Sequence, residues 1–389
     1  MSDRWQATMT SAQQLRQHLH ANPELGWQEF DTAERIRSQL TRLEIPWKAC
    51  ASTGTIASLT PRTISDGTPH RALRGDIDAL PIQEATTRPW ASQRDGCMHA
   101  CGHDGHTATL MATAEWLKLH EDQLPGPVSL LFQPAEEGGH GALRMIEDGA
   151  LDGVDEIYGW HNWPAIPFGQ LACPDGIVMC GNGTFTLTVT GRGGHASQPE
   201  LTRDPVLAAS AIVMSLQQIC SRRLAPQQAA VVSVTSIDAR SAPTVTPEKA
   251  VIGGSIRVPD LATRKIVNQL ISEICQATAA SYGVKCEVDI QPRYEATINH
   301  ADQAARTRTL WGSVSGAKGL ADIRLPIMAS EDFSYYLQHI PGAFALIGAD
   351  DGEAHQAPCH SAHYDFNDRL IPLVTRLFSQ LVGVEVSTE

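Results

Sequence analysis

Three histidines, a cysteine and an aspartate fall within ten positions in MHACGHDGHT, residues 98–107. Cys101 and His103, just ahead of a helix expected from about residue 105, can project from one loop toward a common point. Thiolate and imidazole suit zinc and other borderline transition ions, whereas calcium or magnesium would call for oxygen donors. Two further candidate sets sit at the ends of expected strands, where open α/β sheets place ligand sites. Glu136 and Glu137 follow the strand 128–132 in FQPAEEGGHG, and two charged carboxylates there are costly to hold without a cation or a shared proton. His161 ends a strand in YGWHNWP, and His360 precedes the last helix in CHSAHYDFND.

One thiolate, three imidazoles and one or two carboxylates exceed what a single tetrahedral ion uses, so a pair of ions bridged by water is the economical reading. Such a site does hydrolysis: the ions bring the pKa of a water to about 7, and a nearby carboxylate takes its proton during attack. Glu136 is the expected general base. Asp78, two after Asp76 in RGDIDALP, is placed to orient a metal-binding imidazole from behind, or else only caps the strand-to-loop turn. The same residues admit a cysteine hydrolase with Cys101 as nucleophile and no metal. They also admit blander roles, with His161 packed in a core and the two glutamates in a solvated loop.

The elements that must position these residues alternate as strand and helix. Helices are expected over 11–20, DTAERIRSQLTRL, 105–120 and 141–149, and strands at GTIASL, RALRGD, VSLLFQP and EIYGWH. Asp31 and Glu34, three apart, read as a capping box for the second helix. From Gly183 the texture changes: TFTLTVTG alternates Phe185, Leu187 and Val189 with threonines, as in a strand buried on one face. A helix over 204–221, strands AAVVSVTSI and KAVIGGSIRV, a helix over 260–281 and the strand KCEVDI complete β-α-β-β-α-β, the ferredoxin-like plan. The α/β texture resumes after Pro292, with PGAFALIGA as a strand and NDRLIPLVTRLFSQLV as a closing helix, so the small domain is inserted into the large one. Between Pro292 and Gly312, His300 included, no element is assigned.

At 389 residues, 42% hydrophobic and 19% charged, the chain can build two domains with cores of their own. A net charge of -13 argues against a nucleic-acid surface, which needs a basic footprint. Nine cysteines lack paired spacing and MSDRWQATMTSAQQL has no apolar signal core, so the expected location is cytoplasmic and disulfides are not expected. No apolar run approaches the roughly 20 residues that cross a bilayer, which leaves small molecules as the expected partners.

Taken together, the motifs resemble the metal-dependent aminoacylase and carboxypeptidase superfamily. Within it they are similar to the amidohydrolase branch of hippurate hydrolases, auxin-conjugate hydrolases and N-acetyldiaminopimelate deacetylases. HLHANPELGWQE, DIDALPIQE, MHACGHDGHTA, QPAEEGGHGA, GWHNWP, GRGGHASQP, SEDFSYY and CHSAHYDFND occur in that branch's order at fitting spacing. The resemblance implies a mixed-sheet, dinuclear metallopeptidase-type α/β catalytic domain over 1–181 and 293–389. It implies an inserted ferredoxin-like lid over 182–292 that mediates homodimerisation. Carried onto this chain, it implies metal ligation by Cys101, His103, Glu137, His161 and His360, with Glu136 as general base. Two divalent ions per subunit are implied, drawn from manganese, zinc, cobalt or nickel.

The family's lid histidine falls on His195 in GRGGHASQP, where closure of the lid would bring it to donate a hydrogen bond to the oxyanion, in some relatives across the dimer. Arg257, in GGSIRV, resembles an arginine that relatives use near the substrate carboxylate, which suits a guanidinium fork. Two positions depart from the pattern: Glu200 stands where the branch usually has histidine, and Thr244 in TVTP where it favours asparagine. Glu200 suggests a substrate with a second, cationic amino group, such as N-acetyl-2,4-diaminobutyrate, or is a solvated lid carboxylate. The expected activity is hydrolysis of the amide of an N-acyl, chiefly N-acetyl, amino acid. A metallo-dipeptidase or aminopeptidase, and a catalytically silent binding protein on the same scaffold, are the alternatives.

Overall fold

In the computed structural model, which describes residues 3–64, 67–314 and 316–386, the chain opens with α1 (Asp3–Ala21) and α2 (Phe30–Arg42). The first helix starts eight residues earlier than the sequence pattern suggests, because Trp5 and Thr8 are buried and the Trp5 ring meets Trp116 edge-on at 4.9 Å. No Asp31–Glu34 capping box forms. Instead the Glu24 carboxylate accepts the backbone N–H groups of Asp31 and Thr32 at 3.3 and 2.8 Å, doing from the preceding loop what a cap side chain does. Then follow β1 (Trp47–Cys50), β2 (Gly54–Leu59), β3 (Arg71–Asp76), α3 (His103–Leu119), β4 (Val128–Gln133), α4 (Gly141–Glu147), β5 (Glu156–Pro167), β6 (Leu171–Ala172) and β7 (Gly176–Met179).

The inserted segment forms β8 (Gly181–Thr190), β9 (Gly194–His195), α5 (Pro205–Leu216), β10 (Val231–Asp238), β11 (Val245–Thr246), β12 (Lys249–Val258), α6 (Leu261–Ser281) and β13 (Lys285–Pro292). Its sheet runs β10-β12-β8-β13 with every neighbour antiparallel, the ferredoxin-like order. Alternation along β8 sends Phe185, Leu187 and Val189 into a core with Ile212, Ile252, Ile256 and Ile271, while Thr186 and Thr188 face outward or partly so. Asp204 caps α5, with Pro205 in its first turn, and Asp260 caps α6. The helix expected over 204–221 ends at Leu216, and a π-turn over Ile219–Arg223 follows it.

The chain returns with β14 (Thr297–Asn299), α7 (Ala301–Trp311), α8 (Ser334–Leu337), β15 (Gly342–Asp350) and α9 (Leu370–Leu381). Among the described residues the central sheet has seven strands in the order β1-β2-β4-β3-β5-β15-β6. The four in the middle are parallel and the edges antiparallel, which makes the sheet mixed. Every residue of β3 and β4 is buried, as expected for parallel strands covered on both faces.

The molecule divides into two units, Met1–Val178 with Ile298–Leu325 and Asp332–Glu389, and Met179–Thr297 with Pro326–Glu331. These bounds differ from the 181/182 and 292/293 breaks of the sequence reading. Cys180 N–H bonds the Ile327 carbonyl at 3.0 Å, and Arg264 reaches the carbonyls of Asn182 and Tyr294 at 2.9 and 2.7 Å, drawing those residues into the second unit. No helix among the described residues is long and apolar enough to cross a membrane.

Candidate metal centre

The first unit gathers the donors at the carboxyl edge of its parallel strands. Asp76 pairs with Gln133, and the β3–β5 register, continued from Leu73↔Tyr158, sets Asp76 level with His161. Cys101 and His103 flank Gly102, which has φ +96° and starts α3; a Cβ there would lie 2.2 Å from Asn162 Oδ1. His103 is thus the first helical residue, two positions before the start read from sequence. Glu136 and Glu137 follow Ala135, and His360 is itself left-handed, with φ of +50° and +67° at these two non-glycine positions.

These residues meet. Cys101 Sγ lies 3.3 Å from His161 Nε2, and Glu137 Oε1 lies 3.1 Å from His360 Nε2. Ligand atoms of Cys101, His103 and His161, of Cys101, Glu137 and His360, and of His103, Glu136 and Glu137 each fall within 4.8 Å of one another. Cys101, His103 and Glu137 each belong to two of these sets, so the sets overlap and offer more donors than one tetrahedral ion would use. Asp78 supports both sides: Oδ1 meets His103 Nδ1 at 3.2 Å, and Oδ2 accepts the Glu137 N–H at 2.9 Å.

The donor set fits metal ions. His103 Nε2 is buried and has no hydrogen-bond partner among the described residues; Asp76 Oδ2 stands 3.6 Å away. An imidazole held by a carboxylate at one nitrogen, with the other bare among a thiol and carboxylates, is the arrangement a metal completes. Electrostatics agree. Burial disfavours charge on His103, but Asp76, Asp78 and Glu137 outweigh it and raise its pKa to about 10. A hydrogen bond with Cys359, burial and the charge of Glu137 push the Cys101 thiol well up, a direction that a dication would reverse. A hollow of about 290 Å³ opens beside Glu137, walled by Leu25, Trp27, Ala79 and Pro81. The larger hollow of about 570 Å³, lined from α1 and α2, contains none of the donors.

In the second unit, His195 is exposed on β9, paired with Val245 of β11, and the Thr244 carbonyl accepts the next residue's N–H at 2.9 Å. Its Nδ1 accepts from the Ser197 N–H at 3.1 Å, which places the proton of the neutral ring on Nε2. Arg257 is half-buried on β12 and donates to Ser330 Oγ at 2.9 Å. Glu200 is exposed on a short turn, Pro199–Leu201.

Residues 72–383 match the model of peptidase family M20/M25/M40. The chain belongs to this family. It is 39% identical over 363 residues to an IAA-amino acid hydrolase, ILR1-like 2, of Arabidopsis thaliana, covering 92% of this chain and 81% of that protein. It is 40% identical over 341 residues to an N-acetyl-L-cysteine deacetylase of Bacillus subtilis, covering 86% and 80%. The crystal structure of the Bacillus subtilis YXEP protein, described as a dinuclear metal binding peptidase of the M20 family, superposes with a TM-score of 0.83 at 31% identity, covering 97% of this chain and 98% of that one. The hydrolase and the deacetylase lie in the amidohydrolase branch.

Sequence reasoning missed the residues that hold this M20 centre from behind. Asp332 accepts Arg74 Nη2 at 3.1 Å, Gln133 Nε2 at 2.8 Å and the Ala142 N–H at 2.9 Å, while its own N–H donates to Glu136 Oε1 at 3.3 Å. Buried Glu29 accepts the Ala135 N–H at 2.9 Å and fixes the turn that delivers Glu136. His106, left without a role, bridges Asp76 at 2.6 Å and Asn162 at 2.8 Å. The motifs HLHANPELGWQE and SEDFSYY contain Glu29 and Asp332, the one signal that could have found them.

Proposed function

We propose that this chain is a metal-dependent amidohydrolase that cleaves the amide of an N-acyl, chiefly N-acetyl, amino acid. Cys101, His103, Glu137, His161 and His360 would hold two divalent ions, manganese, zinc, cobalt or nickel. The observation that carries the reading is the bare Nε2 of buried His103 within the overlapping donor sets. When bound, the ions would polarise the amide carbonyl and acidify the attacking water. Glu136, oriented by the Asp332 N–H, takes that water's proton and returns it to the departing amino nitrogen. His195, protonated on Nε2, donates to the oxyanion, and Arg257 grips the substrate carboxylate.

An N-acyl amino acid as substrate class is supported by the relatives, one an N-acetyl-L-cysteine deacetylase and another an IAA-amino acid hydrolase. The finer assignment, a cationic second amino group read by Glu200 as in N-acetyl-2,4-diaminobutyrate, rests on the exposed carboxylate at the position where the family resemblance leads one to expect histidine. Residues 182–292 are assigned a lid role, and pairing of two copies through them is supported by the outer face of α5, where Leu207 and Met214 are 56% and 72% exposed. A cytoplasmic location belongs to the same reading.

Amine release from N-acetyl-2,4-diaminobutyrate, N-acetyl-leucine, hippurate and a dipeptide, with manganese-loaded protein and a Glu136→Gln control, tests the proposal. Turnover of an N-acyl compound that vanishes in the control is expected. Turnover of the dipeptide alone would replace the reading with a metallo-dipeptidase, and metal-bound protein that turns over none of the four would replace it with a binding protein.

A further inference from the structure

Cys359 stands beside the donor cluster and takes no part in the hydrolysis proposed above. Its thiol is half-buried, points toward the Cys101 carbonyl 3.9 Å away, and is approached by Asn162 Nδ2 at 3.8 Å. The next residue's N–H donates to the Ala100 carbonyl at 2.7 Å, which ties the segment carrying Cys359 directly to the one carrying Cys101. The Cys359 sulfur 3.9 Å from the Cys101 carbonyl and the backbone bond between their segments make the two cysteines neighbours, the proximity from which a disulfide starts.

We propose that Cys101 and Cys359 form a reversible disulfide that withdraws Cys101 from the metal centre, making the site a thiol-oxidation switch. The oxidant is a peroxide. The more accessible Cys359 sulfur attacks the peroxide: an S–O bond forms, the O–O bond breaks, and the thiol proton leaves with the departing oxygen as water. Cys101 sulfur then attacks the Cys359 sulfur: the S–S bond forms, the S–O bond breaks, and the second thiol proton leaves in a second water. Two thiols lose two electrons and two protons, and one hydrogen peroxide becomes two waters. A dithiol reductant reverses the sequence by exchange. Cys275 and Cys286 lie in the second unit and are none of the donors, so their oxidation is an internal control.

Loss of metal on oxidation rests on the two-ion reading, whereas the cross-link does not. Chelator-stripped and manganese-loaded protein are each treated with hydrogen peroxide, alkylated and digested with trypsin. Stripped protein should yield peptides 95–118 and 325–369 joined, with fragmentation placing the bond at Cys101 rather than Cys97. Manganese should slow the link by on the order of tenfold, because a ligated sulfur is a poor partner for exchange. Linked protein should take up less manganese than reduced protein until dithiothreitol restores it, and Cys359→Ser should form no link and keep its manganese after peroxide. No joined peptides from stripped protein, or full manganese uptake by linked protein, would overturn the switch. Reduced protein that binds no manganese, with the link still formed, would instead overturn the two-ion reading.

Discussion

The buried donors of the first unit and two of the three candidate residues of the second, His195 and Glu200, are held in opposite ways. Cys101, His103, Glu136 and His161 are buried, with Asp78, Asp332 and a neighbouring backbone fixing their free atoms, while Glu137 is half-buried and His360 is exposed at the rim. His195 and Glu200 are exposed, and His195 is oriented only by Ser197 two residues away. A site that must keep several like-charged groups together needs a rigid buried frame, whereas an exposed side chain tethered by a near neighbour is free to reorient. Substitutions of the holding residues in the first unit should therefore disturb metal content or stability, whereas substitutions at the reacting Glu136 and in the second unit should change rate or preference alone.

The largest effect expected is at Glu136. Glu136→Gln should lower kcat by about 10²–10⁴-fold with both ions retained, read by turnover together with metal analysis. Loss of metal in that variant would mean Glu136 is a ligand, and would redraw the boundary between holding and reacting groups. His195→Ala should lower kcat by roughly 10²–10³-fold with metal content and thermal unfolding unchanged. A shift in metal affinity there would erase the contrast between the units.

Asp332→Ala should cost about 2–3 kcal/mol in urea unfolding, because it removes one of the two carboxylates on the buried Arg74 guanidinium, which keeps Asp76, and takes the carboxylate acceptor from the Ala142 N–H and the Gln133 amide. An exposed-residue cost below about 0.5 kcal/mol would show that the frame is not what holds Glu136. The frame also carries a pH signature. Burial opposes charge on His20, but Asp104 at 2.8 Å and Glu84 at 3.4 Å outweigh it and raise its pKa to about 9. A raised histidine stabilises fully below its unfolded pKa of about 6.5 and loses that contribution as pH climbs through 9, on the order of 3 kcal/mol. His20→Gln should flatten stability between pH 6.5 and 9 relative to the parent; an unchanged slope would remove His20 from the frame. Smallest of all, Glu200→Gln should change the preference between N-acetyl-2,4-diaminobutyrate and N-acetyl-leucine by less than about tenfold, as for a solvent-screened charge. No change at all would discard the cationic substrate.

What could be read from the sequence follows the same division. Cys101, His103, Glu136 and Glu137 follow strands or start a helix, so period and residue type brought them to one edge; His161, expected to end its strand, lies inside β5, which runs on to Pro167, and His360 lies in a turn well ahead of α9, where no periodicity marks it. The alternation of β8 and the capped helices α5 and α6 made the ferredoxin-like unit equally readable. The frame was not readable, because its pairs span the chain: Arg74 and Asp332 are 258 positions apart and Arg16 and Asp368 are 352. Local rules also misled where tertiary partners took over, as when Glu24 replaced the Asp31–Glu34 box and the Trp5–Trp116 contact extended α1. β14, three residues long, is too short to show a pattern, and α7 buries only Ala304, Thr307 and Trp311 among polar residues, so its apolar stripe was too sparse to be assigned.

The most direct test of the buried centre is to titrate chelator-stripped protein with manganese while following acetate release from an N-acetyl amino acid. The account predicts saturation at two ions per chain, with activity rising in step and Cys101→Ser binding fewer ions. Full acetate release in the presence of EDTA, with no ion bound, would contradict it and return the site to Cys101 as a nucleophile.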